Sequence, residues 1–260
     1  MKNLHLGLKL FSNQLNRYKE ETIKLLEKNK FSYIELFVFP DSDEDLTGWK
    51  NFKEEFSLNF TLHAPHFSNG VNLADKDFEK RNIEVYDTVK RYKQELDAKY
   101  IIVHGGMNGS LDEVVRQLDL INIPDMRIEN KPPVSPRNPD NKCRGAIFEE
   151  IKFIIDRHPC KFCLDVGHAF CTSVNLNIDR FDYLKKFNSL NPDCYHLSDG
   201  EFNNRIDKHF HIGKGDYDWK KIFQIIDVTK NMTLETVTKK GIESLELFSE
   251  DVDAVNNLLC

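Results

Sequence analysis

Six successive apolar runs in this chain each give way to a loop on a histidine or a carboxylate. They read NFTLHAP, YIIVHGG, MRIENKP, FCLDVGH, CYHLSDG and MTLETV. His and carboxylate side chains are the usual ligands of zinc and related divalent ions. Spread over six strand ends, such residues converge only if the strands lie side by side and point the same way. A parallel barrel meets that condition.

The rest of the chain keeps the same rhythm. Eight strand-like segments fall near 4–10, 33–39, 59–65, 100–105, 126–130, 161–166, 193–198 and 232–237, rich in Ile, Leu, Val, Phe and Tyr as buried parallel strands are. Between them, apolar residues recur at helical spacing. Leu15, Tyr18, Ile23, Leu25 and Leu26 mark one helix over 12–29, and Phe78, Ile83, Tyr86, Val89 and Tyr92 another over 75–97. Further helices are expected near 42–56, 110–120, 144–157, 178–190, 218–228 and 249–258. Eight strand–helix units predict a closed α/β barrel of the (β/α)8 type, a TIM barrel, occupying residues 1–260 as a single domain.

Composition narrows the functional classes. Forty per cent of the 260 residues are hydrophobic, enough for a sizeable core, yet no apolar run is long enough to span a bilayer. The segment MKNLHLGLKLF is too short and too amphipathic for a signal peptide. A cytoplasmic protein with no membrane partner, working as a monomer, is expected. The net charge of −6 gives no global attraction to nucleic acid, although a local cationic patch acts despite the mean. The six cysteines are irregularly spaced, and free thiols are expected. Cys160 and Cys163 form a lone C-x-x-C that runs into a strand, without a second pair at zinc-ribbon spacing.

One connection stands apart, Lys131 to Arg144, KPPVSPRNPDNKCR. Four prolines exclude helix for most of it. It reads either as a solvated connection or as a substrate-facing loop, because it follows the fifth strand on the catalytic face.

Nine residues at strand ends are the candidate metal ligands: His63, His104, Glu129, Asp165, His168, His196, Asp207, His209 and Glu235. Any single histidine among them is more often a hydrogen-bonded structural residue than a ligand. Together they are harder to explain that way. Seven of the nine histidines lie at or just after strand ends, with His5 and His158 the exceptions. Four carboxylates would otherwise crowd one barrel mouth uncompensated, at high cost. His66 and His211 lie beyond the first set of ligands, as substrate contacts or solvated residues.

The motifs LHAPH, VHGG, IENKP, LDVGHAF, HLSD, DKHFHIGKGD and LET, in this order over residues 63 to 236, together resemble endonuclease IV. That is the zinc-dependent apurinic/apyrimidinic endonuclease family among the xylose-isomerase-like barrels. The resemblance implies up to three Zn2+ ions per chain, with Mn2+ or Fe admitted at some sites by ligand type. It assigns His63, His104 and Glu129 to the first ion, and Glu129, Asp165, His196 and Glu235 to the second. His168, Asp207 and His209 take the third. Glu129 would bridge two ions and position the attacking hydroxide. Three divalent ions against four carboxylates leave a charge of +2, suited to an anionic phosphodiester. Asp207 and His209, two apart in an extended stretch, face one side and grip one ion together. Asp165 and His168 lie across a strand-to-loop turn. His66, Phe67, Asn130, Lys131 and Lys214 are candidate substrate contacts, and Asn130, Asp199 and Lys214 serve either behind the ligands or as phosphate contacts. The implied partner is nucleic acid, abasic DNA above all.

The resemblance thins at the DNA-recognition loops. Where the family carries an aromatic and an aliphatic residue after the first histidine, this chain has His66 and Phe67, within a longer loop, FSNGVNL. Phe67 remains a candidate wedge. The segment FPDSDEDLTGW after the second strand is acidic where the family tends to offer arginine, which opposes a phosphate backbone. The proline-rich connection lacks the family's glycines. Two other classes stay open. A sugar isomerase or epimerase would use Glu129, Asp165, His196 and Glu235 with one or two metals, and has no use for Asp207-x-His209. A non-catalytic barrel is disfavoured by so many clustered ionisable groups.

Overall fold

A computed structural model describes residues 4–40, 43–135, 138–236 and 245–259. Its elements, in chain order, are β1 (His5–Phe11), α1 (Leu15–Glu27), β2 (Tyr33–Phe37), α2 (Asp43–Phe56), β3 (Phe60–His63), α3 (Glu79–Glu95), β4 (Ile101–His104), α4 (Leu111–Ile121) and β5 (Met126–Glu129). Then come β6 (Val134–Ser135), β7 (Asn138–Lys142), α5 (Phe148–Arg157), β8 (Lys161–Asp165), α6 (Val166–Leu176), α7 (Arg180–Asn188), β9 (Cys194–Leu197), α8 (Trp219–Ile225), β10 (Asn231–Leu234) and α9 (Glu246–Leu259). All strands but β6 and β7 close into one parallel barrel in the order β1-β10-β9-β8-β5-β4-β3-β2. The eight strands foreseen from the sequence are these eight.

Alternation along the strands sorts side chains into two cores. One set, including Leu8, Leu10, Ile34, Leu36, Leu62, Val103, Ile128, Leu164, Leu197 and Leu234, packs with the surrounding helices in the main apolar core. The other set points into the barrel. Tyr100, Ile102, Cys163 and Cys194 form a small separate cluster there. Tyr33 reaches from β2 across β1 to Thr233 on β10, hydroxyl to hydroxyl at 2.9 Å. That path runs over Gly7, where a Cβ would stand 2.4 Å from the Tyr33 ring, so β1 needs glycine at this point. The five described cysteines are free and buried, and Cys163 lies within β8 as expected; Cys260 is outside the described residues.

Two elements depart from the sequence-based expectation. Residues after Asp165 do not enter a loop: α6 starts at once, so His168 sits in the first turn of a helix. Every residue from Val166 to Ser173 is buried, which leaves no polar face for periodicity to reveal. The proline-rich connection is not irregular either. β6 and β7 pair antiparallel, Val134 with Lys142 and Ser135 with Asn138. The connection is tied back to the barrel by Arg144 N donating to Gly106 O and Lys131 N to Gly145 O. Prolines survive at such edges because no barrel partner needs their missing N–H. Asp41, in the acidic stretch after β2, lies outside the described residues; Asp43 and Glu44 open α2.

Candidate metal centre

Strand ends and loops on the C-terminal face bring His63, His104, Glu129, His209 and Glu235 to the wall of one cavity of about 550 Å³, and Asp165, His168, His196 and Asp207 group with them through their ligand atoms. Its lining includes Lys9, Phe11, Phe37, His63, His66, His104, Glu129, Lys131, His209, Lys214 and Glu235. Glu129 is the hub. Its Oε2 lies 2.8 Å from His104 Nε2, 3.3 Å from His63 Nε2 and 3.5 Å from His196 Nδ1, and its Oε1 lies 3.1 Å from His168 Nδ1.

Potential ligand atoms gather in four groups. His63, His104 and Glu129 form one, and His168, Asp207 and His209 another, both as the sequence suggested. The intermediate set is split. Glu129 and Asp165 group with His168, while His196 and Glu235 group with His63 and with Glu35 of β2. The strand-end pattern does not point to Glu35, nor to Lys9. Both are buried charges inside apolar strands, LGLKLF and YIELF, and that costly placement was the available signal. Lys9 Nζ contacts Glu235 and lies 3.3 Å from Glu35.

The local backbone explains how several ligands are aimed. Asp165 caps α6, its Oδ1 accepting from His168 N at 2.6 Å. His63 and His209 face Ala64 O (2.9 Å) and Glu235 O (3.0 Å) through Nδ1, which leaves Nε2 towards the centre, while His168 shares Nδ1 between Asn130 O (2.8 Å) and Glu129 Oε1 and turns Nε2 to Asp207. His209 adopts φ +49°, a left-handed backbone uncommon for a non-glycine residue and recurrent at functional sites. Its loop is closed by a bridge between Asp199 and Phe210. The Asp199 carboxylate accepts from Gly213 N and Trp219 Nε1, so this residue builds the loop rather than facing the cavity.

The other candidates divide. His66, Lys131 and Lys214 line the cavity. His66 stacks on His104, ring centroids 5.4 Å apart, and its Nδ1 accepts from Ser68 N. Burial, with Lys131 second, pushes its imidazole down to about 3, so it stays neutral. Asn130 takes the supporting alternative rather than the substrate contact: its side-chain amide donates to Asp165 O and accepts from Asp165 N, clamping β5 to β8. Phe67 is half-buried in a short turn, Phe67–Asn69, and is not part of the cavity lining. Phe11 and Phe37, ring centroids 5.4 Å apart, form the cavity's aromatic wall instead.

The electrostatics fit a cation-binding centre. Asp165 Oδ2, His196 Nδ1 and Asp207 Oδ2 are buried without a well-formed hydrogen bond. Burial, aided by Asp207 and Glu129 but opposed by His168, pushes Asp165 up to about 6. Burial pulls His168 down, yet Asp165, Asp207 and Glu129 together outweigh it and hold the imidazole up at about 10. Burial and then Lys131 hold His104 well below its ordinary value. Among these carboxylates the His168 imidazole thus keeps its proton at neutral pH.

A parallel eight-stranded barrel with histidines and carboxylates converging at its C-terminal face defines a class of metal-binding enzyme scaffolds. The family model described as xylose isomerase-like TIM barrel matches residues 23–258, and the chain belongs to that family. Among curated relatives, an uncharacterized protein of Methanocaldococcus jannaschii is 26% identical, with 90% of this chain and 92% of the relative covered. A probable endonuclease 4 of Halothermothrix orenii is 27% identical, with 84% of each covered. Among solved structures, endonuclease IV from Thermus thermophilus superposes with a TM-score of 0.71 at 18% identity, covering 98% of each chain. A D-tagatose 3-epimerase-like protein gives 0.70 at 16% identity, covering 99% of this chain and 100% of the other. These structural likenesses speak for the fold alone.

Proposed function

We propose that this protein is a metal-dependent phosphoester hydrolase whose preferred substrate is DNA with an abasic site. The observation that carries the reading is the grouping of His168, Asp207 and His209 beside the Glu129 hub. An isomerase site has no need of that additional group. Relatives named endonuclease 4 point the same way. Up to three divalent ions would be held by His63, His104 and Glu129; by Glu129, Asp165, His196 and Glu235; and by His168, Asp207 and His209. Zinc is the expected metal. Bound there, the ions would supply Lewis acidity for phosphorus–oxygen cleavage and activate water. Adding Glu35 and Lys9 leaves the centre's charge unchanged, because the two cancel.

The chain's own groups supply the remainder. Glu129 holds four imidazoles around one carboxylate, which fixes the distances between ligand groups. Lys131, Lys208 and Lys214 line the cavity and would attract an anionic phosphate. His66, neutral and stacked, would donate a hydrogen bond through Nε2 without adding charge. The buried free thiols suit a reducing cytoplasm, and the protein is read as acting there as a monomer.

A second reading rests on the cavity itself. At about 550 Å³, with an aromatic wall of Phe11 and Phe37, it has the size of a small-molecule pocket. That favours a sugar epimerase. Purified, metal-loaded protein should be given abasic duplex, intact duplex, single strands, small phosphodiesters, ketoses and aldoses. The hydrolase reading expects metal-dependent phosphoester cleavage, greatest on the abasic duplex. Conversion of a sugar with no phosphoester cleaved would overturn it.

A further inference from the structure

His196 faces the opposite way from its neighbours. His63 and His209 each place Nδ1 on a backbone carbonyl and turn Nε2 inward, whereas His168 shares Nδ1 between Asn130 O and Glu129 Oε1 and points Nε2 at Asp207. His196 turns Nδ1 inward, 2.9 Å from Glu235 Oε1 and 3.5 Å from Glu129 Oε2. Its outer nitrogen, Nε2, meets Glu35 Oε2 at 3.0 Å. Glu35 is fully buried inside the barrel, two strands away from β10 and three from β9. Thr233 Oγ1 donates to the same carboxylate oxygen at 2.8 Å, and Tyr33 braces Thr233 in turn. Lys9 ties Glu35 to Glu235, the other carboxylate at this inward nitrogen.

We propose that Glu35 is a positioning residue for the central metal: it fixes the ring and tautomer of His196 so that Nδ1 faces Glu129 and Glu235. The inference rests on the metal-centre reading above. A carboxylate behind a metal-binding histidine holds its outer N–H and raises its strength as a ligand. At His196 Nε2 the carboxylate takes the part that backbone carbonyls play for His63 and His209. Lys9 offsets the charge that Glu35 brings into the barrel and restrains Glu235 on the opposite side of the same position.

A purely structural role for Glu35 would be to neutralise Lys9. The two are separated in a Lys9→Met background, where no ammonium needs a partner. There Glu35→Gln keeps an oxygen that accepts from His196 Nε2, whereas Glu35→Leu does not. Each double variant is titrated with Co2+, with bound ions counted by elemental analysis and melting followed in the metal-free state. His196→Ala, His104→Ala and Asp207→Ala identify which ion is which. Lys9→Met/Glu35→Leu should weaken the ion lost in His196→Ala by about 10–100-fold relative to Lys9→Met/Glu35→Gln. The ions assigned through His104 and Asp207 should be unaffected. Equal affinity in the two double variants, with only the melting temperature changed, would overturn the proposal. If His196→Ala loses no ion, the central site itself fails, and this inference falls with it.

Discussion

At the scale of single residues, Glu129 is the position on which the centre depends. It contacts His63, His104, His168 and His196, and burial opposes its ionisation until His104, Lys131 and His196 outweigh it. Glu129→Gln should therefore cut phosphoester cleavage by more than about 100-fold, beyond what losing an outer partner of a ligand costs, while circular dichroism stays native. Native activity in this variant would remove the hub from the mechanism. His168 supports a second prediction. Its folded value of about 10 lies above the ordinary imidazole value, so the stabilisation it gives the metal-free fold is complete below about pH 6.5 and lost as pH rises through 10. At about pH 7.5, between those two values, an incoming ion must displace that proton. Calorimetry in two buffers of different ionisation heat should show proton release on metal binding, with affinity rising as pH rises. No release would contradict it. The nine candidate ligands were legible because strand ends expose chemistry to a simple pattern. Lys9 and Glu35 were not, because a charge in mid-strand declares its partner only when β1, β2, β9 and β10 are brought together.

At the scale of elements, α6 links local structure to the centre. Gly167 lies in its first turn, and a Cβ there would stand 3.0 Å from Asp207 Oδ1. Alanine improves helix propensity by up to about 1 kcal/mol, so the helix itself does not suffer. Gly167→Ala should displace the Asp207 carboxylate and weaken the ion of the His168 group roughly tenfold or more, without lowering the melting temperature. Unchanged metal affinity would show that Asp207 yields freely. α2 carries a different prediction. It begins just beyond the C-terminal end of β2, on the cavity's face, with Asp43, Glu44 and Asp45 in its first turn. Acidic residues suit a helix N-terminus but oppose a phosphate backbone. Asp43→Lys with Glu44→Lys should cost about 0.3–1 kcal/mol each in stability yet tighten DNA binding and steepen its salt dependence by about one unit per lysine. Unchanged DNA affinity would take α2 off the DNA path. Amphipathic helices were readable in the sequence because each has a wet face. α6 lacks one, and the hairpin of β6 and β7 is masked by prolines that pattern reading assigns to loops.

At the scale of the whole molecule, barrel closure turns a one-dimensional rhythm into a site. Strand order places β4, β5, β8 and β9 side by side, so that Glu129 stands beside His104 and Asp165 beside His196, and Glu235 follows β10, the next strand. The order of strands and the convergence at one face could be read from spacing. How the central ligands divide between Asp165 on one side and His196 with Glu235 on the other could not, because that depends on side-chain directions across the barrel. Metal content of the purified protein, combined with anomalous scattering at the zinc, iron and manganese edges, tests the central claim most directly. Up to three ions per chain are expected, with separate peaks at His63, His104 and Glu129 and at His168, Asp207 and His209. A single ion held by Glu129, Asp165, His196 and Glu235 would contradict it.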